Sequence, residues 1–222
     1  MEEQDLLKPT QIIRSKRKSI SLIIKHNGDF IIRAPINAKD ADIIKFVSQK
    51  AEWIISKRKE QLNNKLTPLS FNSDDKLTIL GQMYNITYLN VARTKVVNNQ
   101  IFVPKEKSKE KLITFLKRFA KNYLDDRVLH IASLFDFKYA SVSISSAKSC
   151  WGSCGPRNRL HFTYKLMLCT EDVVDYVIIH ELCHTKVKNH SAKFWDLVRS
   201  CCPNYKMFEK WLKKNRAIVE LI

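Results

Sequence analysis

Apolar positions in the first hundred residues predict short strands and one helix. Two apolar runs within 19–34 flank Asn27-Gly28, and an Asn-Gly pair between such runs is the strongest short signal for a β-hairpin. Apolar residues of 40–66 recur at helical spacing and predict a helix there. Segment 77–89 and the segments on either side of Asn98-Asn99 have the short alternating pattern of strands.

The second half of the chain shows longer helical patterns. An amphipathic stretch from about Ser108 to Phe135 predicts a long helix. Its apolar face comprises Leu112, Phe115, Leu116, Phe119, Tyr123, Leu124, Val128, Ile131 and Leu134. Strands are predicted at 140–145 and 160–168. Three further helices are predicted at 171–186, 191–201 and 204–217.

The order of these elements, β-rich first and mixed afterwards, indicates the α+β class. We expect a β-rich N-terminal region over 1–104, with a hairpin, a helix and short strands, and a second domain over 105–222. Only four glycines occur in the 222 residues, and their spacing fits neither a dinucleotide-binding loop nor a phosphate-binding loop. The two common nucleotide signatures are therefore excluded.

The most informative segment is an H-E-x-x-H motif, His180 to His184, within the predicted helix 171–186. Residues four apart lie about 40° apart around a helix and about 6 Å along it, so both imidazoles share one face and can share a zinc ion. Glu181 can reach a metal-bound water without being a ligand. The preceding segment 172–179 is almost entirely apolar, and an unpaired carboxylate on such a buried helix is costly unless a metal is present.

A catalytic zinc site needs a third protein ligand and one open position, and His190 is the candidate. On an unbroken helix it would lie about 9 Å beyond His184 and turned away, so we expect the helix to end and the chain to turn back. The histidine spacing equals the metzincin pattern H-E-x-x-H-x-x-G-x-x-H, but Val187 stands at the glycine position. Asn189 tolerates the left-handed conformation and can make the turn instead, with Ser191 capping the next helix.

Several motifs together resemble a known family. They are Cys150–Cys154 (CWGSC), Asn158–Leu160, Asp175–His184, Asn189–Ser191, Phe194-Trp195 and, near the start, Ser15–Ser19. The chain resembles the YgjP-like metallopeptidases, a branch of the zincin superfamily related to the WLM and SprT-like proteases. The resemblance covers most of the chain and is densest over 141–198. One departure is Cys150, where a basic residue is expected.

The resemblance implies a zincin-like metallopeptidase domain over 105–222 with an HExxH active-site helix. It implies a zinc cofactor held by His180, His184 and His190, with Glu181 as the catalytic acid/base. The activity implied is hydrolysis of a peptide or protein substrate through a zinc-activated water. By analogy with zincin-like folds, strand 160–168 is expected to form the cleft edge and pair with an extended substrate.

The residue that stabilises the oxyanion is left open by the sequence. The candidates are Tyr164, Tyr176, Tyr205, His161 and Arg157.

Residues around the motif are expected to support it. Trp151–Cys154 is predicted to be a tight turn under the metal, and Cys183 is assigned to the core. Phe194 and Trp195 are expected to pack the following helix on the active-site helix. Asp175 or Asp196 either orients a ligand imidazole or lies on the surface.

Charge keeps two other functions open. The chain has 39 Lys and Arg residues against 22 Asp and Glu, a net charge of +17 that is spread over both halves. Such a field favours polyanions such as nucleic acid, although dispersed lysines also simply keep a surface hydrated. The alternatives are a zinc-dependent hydrolase of nucleotide phosphoanhydrides and a nucleic-acid-associated protease or binding module. The sequence does not indicate an oligomeric state.

The remaining features predict a cytoplasmic protein without a membrane segment. The first residues, MEEQDLLKPTQ, lack the apolar segment of a secretory signal, and no apolar run approaches the ~20 residues that span a membrane. Six cysteines are present without a C-x-x-C pair, which argues against a zinc ribbon. We expect mostly reduced thiols.

Overall fold

A computed structural model describes residues 3–25, 27–63, 67–72 and 75–222. The chain divides into two compact units, Met1–Thr67 and Pro68–Ile222. This division lies earlier than the boundary at 104 expected from the sequence. The physical reason is that the strands between 76 and 104 share one apolar core with the long helix that follows them.

The N-terminal unit is a three-stranded sheet with helices. Its middle strand, β3 (Phe30–Pro35), pairs antiparallel with β2 (Ser21–Ile24), which confirms the predicted hairpin. It pairs parallel with β1 (Gln11–Ser15), which the pattern did not predict. The elements are α1 (Glu3–Leu6), β1 (Gln11–Ser15), β2 (Ser21–Ile24), β3 (Phe30–Pro35), α2 (Asp40–Gln49) and α3 (Ala51–Asn63).

The helix predicted over 40–66 is two helices. Helix α2 ends at Gln49, and Lys50 has non-helical backbone angles (φ −112°, ψ 12°) before α3 begins. Ile43 of α2 and Ile54 of α3 both belong to the small core against β3. The end of the prediction, 64–66, lies outside the described residues.

The C-terminal unit begins with a four-stranded sheet in the order β4-β5-β7-β6. The segments on either side of Asn98-Asn99 are strands, as predicted, and they pair antiparallel, while β5 and β7 pair parallel. The strands are β4 (Lys76–Ile79), β5 (Gln82–Leu89), β6 (Lys95–Val97) and β7 (Gln100–Pro104).

Helix α4 (Ser108–Leu134) follows this sheet and confirms the long helix. Its buried stripe repeats every three to four residues and comprises Leu112, Leu116, Ala120, Leu124, Val128 and Ile131. Leu134, which the pattern places on the apolar face, is exposed instead. Ile131 and Ala132 of the same turn are buried, so Leu134 lies off the buried face of that turn.

A second sheet of the C-terminal unit comprises β8 (Ser141–Ser145), β9 (Gly152–Cys154) and β10 (Arg159–Thr163), in the order β8-β10-β9. Three expectations are wrong here. The strand predicted over 160–168 ends at Thr163, and Tyr164–Leu168 form a buried 3-10 turn, because this apolar run enters the core without strand partners. Strand β10 is central, so it cannot be the cleft edge. Of the segment Trp151–Cys154, predicted to be a tight turn, the last three residues form the edge strand β9.

Three helices complete the unit, close to their predicted bounds: α5 (Glu171–Lys186), α6 (Ala192–Cys201) and α7 (Tyr205–Lys214). Helix α5 packs against α4, α6, α7 and β9, so it is surrounded by protein along most of its length. Asp175 of α5 receives two hydrogen bonds from the Arg127 guanidinium of α4, at 2.7 and 2.5 Å. None of the helices in the described ranges is both long and apolar enough to cross a membrane.

Burial along α4 generates a stability prediction. Leu116→Ala removes a side chain that is 0% exposed, and the cavity left in the core is expected to lower the free energy of unfolding by about 2–5 kcal/mol. Leu129→Ala on the same helix is the matched control, because that side chain is 59% exposed and its loss should change stability by under about 0.5 kcal/mol. Urea unfolding followed by far-UV circular dichroism measures both, and equal losses would contradict the assignment of the buried face.

Candidate metal centre

Three imidazoles converge in the C-terminal unit. His180 and His184 lie on α5, and His190 lies in the segment between α5 and α6. His190 Nε2 is 3.1 Å from His180 Nε2 and 3.2 Å from His184 Nε2. Within the described part of the chain, no other group of three or more His, Cys, Asp or Glu residues brings its ligand atoms together in this way.

After α5 ends, the chain turns back towards this helix through a segment that begins with extended backbone. Helix α5 ends at Lys186, and Val187 has extended backbone (φ −131°, ψ 108°), so the residue at the metzincin glycine position needs no positive φ. Asn189 has no positive φ either, and the expectation that it makes a left-handed turn is wrong. Ser191 occupies the position before α6, but its side chain makes no capping hydrogen bond.

The geometry and protonation of the histidines fit a tetrahedral metal. Bonds of about 2.0–2.1 Å in a tetrahedron place ligand nitrogens about 3.3 Å apart, close to the two distances found here. Burial and the neighbouring histidines lower the pKa of His180 to about 3, and burial also lowers the pKa of His184. Both rings are therefore neutral near pH 7, the form that binds metal.

One ring is oriented by the backbone. His184 Nδ1 lies 3.0 Å from the Val187 carbonyl oxygen, so it donates to that oxygen and leaves Nε2 as the lone-pair nitrogen. His180 Nδ1 is buried without a hydrogen-bond partner among the described residues. Neither aspartate considered for this role supplies one, because Asp175 pairs with Arg127 and Asp196 pairs with Arg199.

Aromatic rings of α6 and α7 surround the histidines. Phe194 is fully buried and stacks on His184, with centroids 4.3 Å apart, while its edge meets His180 and His190. Trp195 stacks on His190, with ring centroids 5.6 Å apart. Tyr205 of α7 stacks on Trp195, with ring centroids 5.3 Å apart. Phe194 and Trp195 thus pack α6 on α5, as predicted, and they do so directly on the imidazoles.

Glu181 is buried beside the edge strand β9. Glu181 is only 6% exposed, and this burial raises the pKa of its carboxyl group to about 8. A Cβ added to Gly152 would lie 2.8 Å from Glu181 Cγ and 3.0 Å from Oε1. The absence of a side chain at 152 therefore provides the space that the carboxylate occupies.

Of the five candidates for oxyanion stabilisation, Tyr176 alone lines the same cavity as Glu181. This cavity of about 160 Å³ is bounded by Trp151, Gly152, Tyr176, Val177, His180, Glu181 and Leu212. Tyr164 is buried in the core, Tyr205 stacks on Trp195, His161 contacts Ser143 on the open face of its sheet, and Arg157 is exposed in a turn.

The structure also brings a lysine to this region that the sequence analysis did not identify. Lys188 Nζ donates to Asn158 Oδ1 at 2.6 Å and lies 3.8 Å from Cys154 Sγ. These contacts join residues 30 or more positions apart, so no local pattern could reveal them. Cys183, between the two helical histidines, is fully buried in the core as expected.

A family model described as "YgjP-like, metallopeptidase domain" matches residues 18–215. A search of curated proteins found no significant match. Among solved structures, the crystal structure of the metallopeptidase zymogen of Pyrococcus abyssi abylysin is 21% identical, covers 41% of this chain and 93% of its own, and has a TM-score of 0.38.

The family match covers most of both compact units and agrees with the motifs identified in the sequence. The chain belongs to the YgjP-like metallopeptidase family.

Proposed function

We propose that this protein is a zinc-dependent peptidase in which His180, His184 and His190 hold the metal and Glu181 is the catalytic acid/base. The observation that carries the proposal is the approach of three Nε2 atoms, two of them 3.1 and 3.2 Å from the third, with a buried carboxylate next in sequence to the first. Zinc bound there would polarise a peptide carbonyl and lower the pKa of a bound water towards about 7.

Glu181 moves the proton in this proposal. Burial raises the pKa of Glu181 to about 8, close to neutral pH, so its ionised form can take a proton from the attacking water and the resulting acid can pass that proton to the leaving amine. Burial and the backbone of Gly152 hold the Glu181 side chain in position. A larger residue at position 152 would not leave space for it. Tyr176 is the proposed oxyanion donor, because burial raises its pKa and keeps the phenol protonated beside the same cavity.

Strand β9 supports a peptide as the substrate. It pairs with β10 on one side only, so its other edge is free within its sheet. A peptide added to that edge by strand pairing would lie alongside Gly152, next to Glu181. We therefore propose β9, rather than the central strand β10, as the cleft edge.

The acid/base role is tested with Glu181→Gln. The amide retains the shape but cannot accept a proton, so cleavage of an unfolded protein should fall about 10²–10⁴-fold while one zinc per chain remains. Glu171→Gln, at the exposed start of the same helix, is the control that should keep its activity. Undiminished cleavage by Glu181→Gln contradicts the assignment, and phosphate release from nucleoside triphosphates without proteolysis would favour the phosphoanhydride alternative.

The third ligand is tested with His190→Ala. Removal of one of three nitrogens should lower zinc affinity at least about tenfold, which competition with a chromogenic chelator measures. The matched control is His130→Ala, because His130 is exposed on α4 outside the histidine group. If both variants retain zinc as well as the wild type, His190 is not a ligand.

The close approach of β9 to the helix is tested with Gly152→Ala. The added methyl group would displace Glu181, so kcat should fall about 10- to 100-fold with zinc content unchanged. Gly155→Ala is the control, since a Cβ there would meet its nearest atom, His161 Nε2, at 3.4 Å. Equal activity of the two variants would show that the spacing at Gly152 does not position the carboxylate.

A further inference from the structure

Lys188 lies in the segment that joins the histidines of α5 to His190. Its side chain is exposed, and its ammonium donates to the neutral amide oxygen of Asn158 at 2.6 Å. No carboxylate of the described residues forms an ion pair with it. The amide therefore holds a cation in place without neutralising its charge.

Asn158, the partner of this lysine, lies in the turn between β9 and β10. Asn158 accepts a hydrogen bond from the Ala140 amide at 3.0 Å through its backbone carbonyl, and its side-chain amide donates to the Lys138 carbonyl oxygen at 3.4 Å. Its φ is +57°, in the left-handed region that asparagine tolerates better than most residues. Both contacts tie Asn158 to the chain leading into β8, so Lys188 is anchored to the sheet rather than to its own loop.

Glu181 and Lys188 approach β9 at two positions of the strand that are two residues apart. Side chains of a strand alternate, so Gly152 and Cys154 point to the same face, about 6–7 Å apart. The Cβ direction of Gly152 meets Glu181, whereas the sulfur of Cys154 lies 3.8 Å from Lys188 Nζ. Burial raises the pKa of the Cys154 thiol, so this neighbour is uncharged near pH 7 and leaves the ammonium charge unbalanced.

An extended peptide paired with the free edge of β9 would have the same two-residue alternation of its side chains. Its residue alongside Gly152 would lie next to Glu181, and the side chain two residues away, alongside Cys154, would face the Lys188 ammonium. This relation holds whichever way the peptide runs, because the period is two residues in both directions.

We propose that Lys188 is a specificity-determining residue that binds an acidic side chain of the substrate, two residues from the substrate position beside Glu181. The inference rests on the proposed peptidase function and deepens it by naming the substrate class: peptides with Asp or Glu at one defined distance from the cleaved bond. Lys188 acts on substrate choice and takes no part in the proton transfers assigned to Glu181.

The test is a set of peptides with blocked termini, built on one sequence that the wild type cleaves. Each carries Glu, Gln or Lys two residues to one side or the other of the residue that lies beside Glu181. Because an exposed ion pair is weak, wild-type kcat/KM should favour Glu over Lys about three- to fivefold at one of these positions. Lys188→Gln should abolish the preference, Lys188→Arg should keep it, and Lys188→Glu should invert it.

The controls separate specificity from damage to the metal centre. Lys188 lies between two proposed ligands, so zinc content is measured for every variant; the preference is a ratio between substrates and does not depend on the fraction of loaded enzyme. Lys210→Glu, an exposed charge reversal on α7, should leave the preference unchanged. The wild-type preference should also shrink in 1 M NaCl, where the Debye length is about 3 Å.

Two results would overturn the inference in distinguishable ways. If the wild type cleaves all peptides of the set with equal kcat/KM, or if Lys188→Glu keeps the wild-type preference, Lys188 does not select the substrate while the peptidase assignment stands. If zinc-loaded wild type cleaves neither peptides nor unfolded proteins, the proposed function fails, and this inference fails with it.

Discussion

Burial of helix α5 is the constraint on which the site depends. Most of its residues from Val173 to His184 are buried, and this stretch includes Glu181. Removal from water disfavours charge, which lowers the pKa of His180 and His184 and raises that of Glu181. The same burial therefore keeps His180 and His184, the proposed ligands, neutral and makes the Glu181 carboxyl group able to exchange a proton near neutral pH.

The elements around α5 have separate roles in that arrangement. Helix α4 holds its first turns through the Arg127–Asp175 pair, and α6 lays Phe194 against the histidine rings. Strand β9 closes the other side with a residue that has no side chain. The three imidazoles are thus oriented mainly by packed aromatic rings and by backbone. Among the described contacts, only one of their Nδ1 atoms, that of His184, has a hydrogen bond, and its partner is a carbonyl oxygen.

Long periodic segments were predictable, and short elements were less so. The stripe of α4 and the H-E-x-x-H helix follow from spacing alone, because a helix repeats one face many times. The break at Lys50 was missed because the apolar spacing continues across it. The apolar run after Thr163 predicts a strand but forms a buried turn, because such a run by itself does not distinguish the two.

The sequence by itself determined that His180 and His184 share a helix face, that Glu181 lies between them, and that the chain must turn back if His190 is to join them. Only the tertiary structure decided how the chain turns, which strand is the free edge, and that Lys188 and Asn158 meet beside it. The physical reason is the sequence separation of the interacting residues. Helical periodicity depends on residues three or four positions apart, so the local sequence is enough to predict it. Contacts such as Gly152 with Glu181 join residues 29 positions apart, and they exist only once the core has brought sheet and helix together.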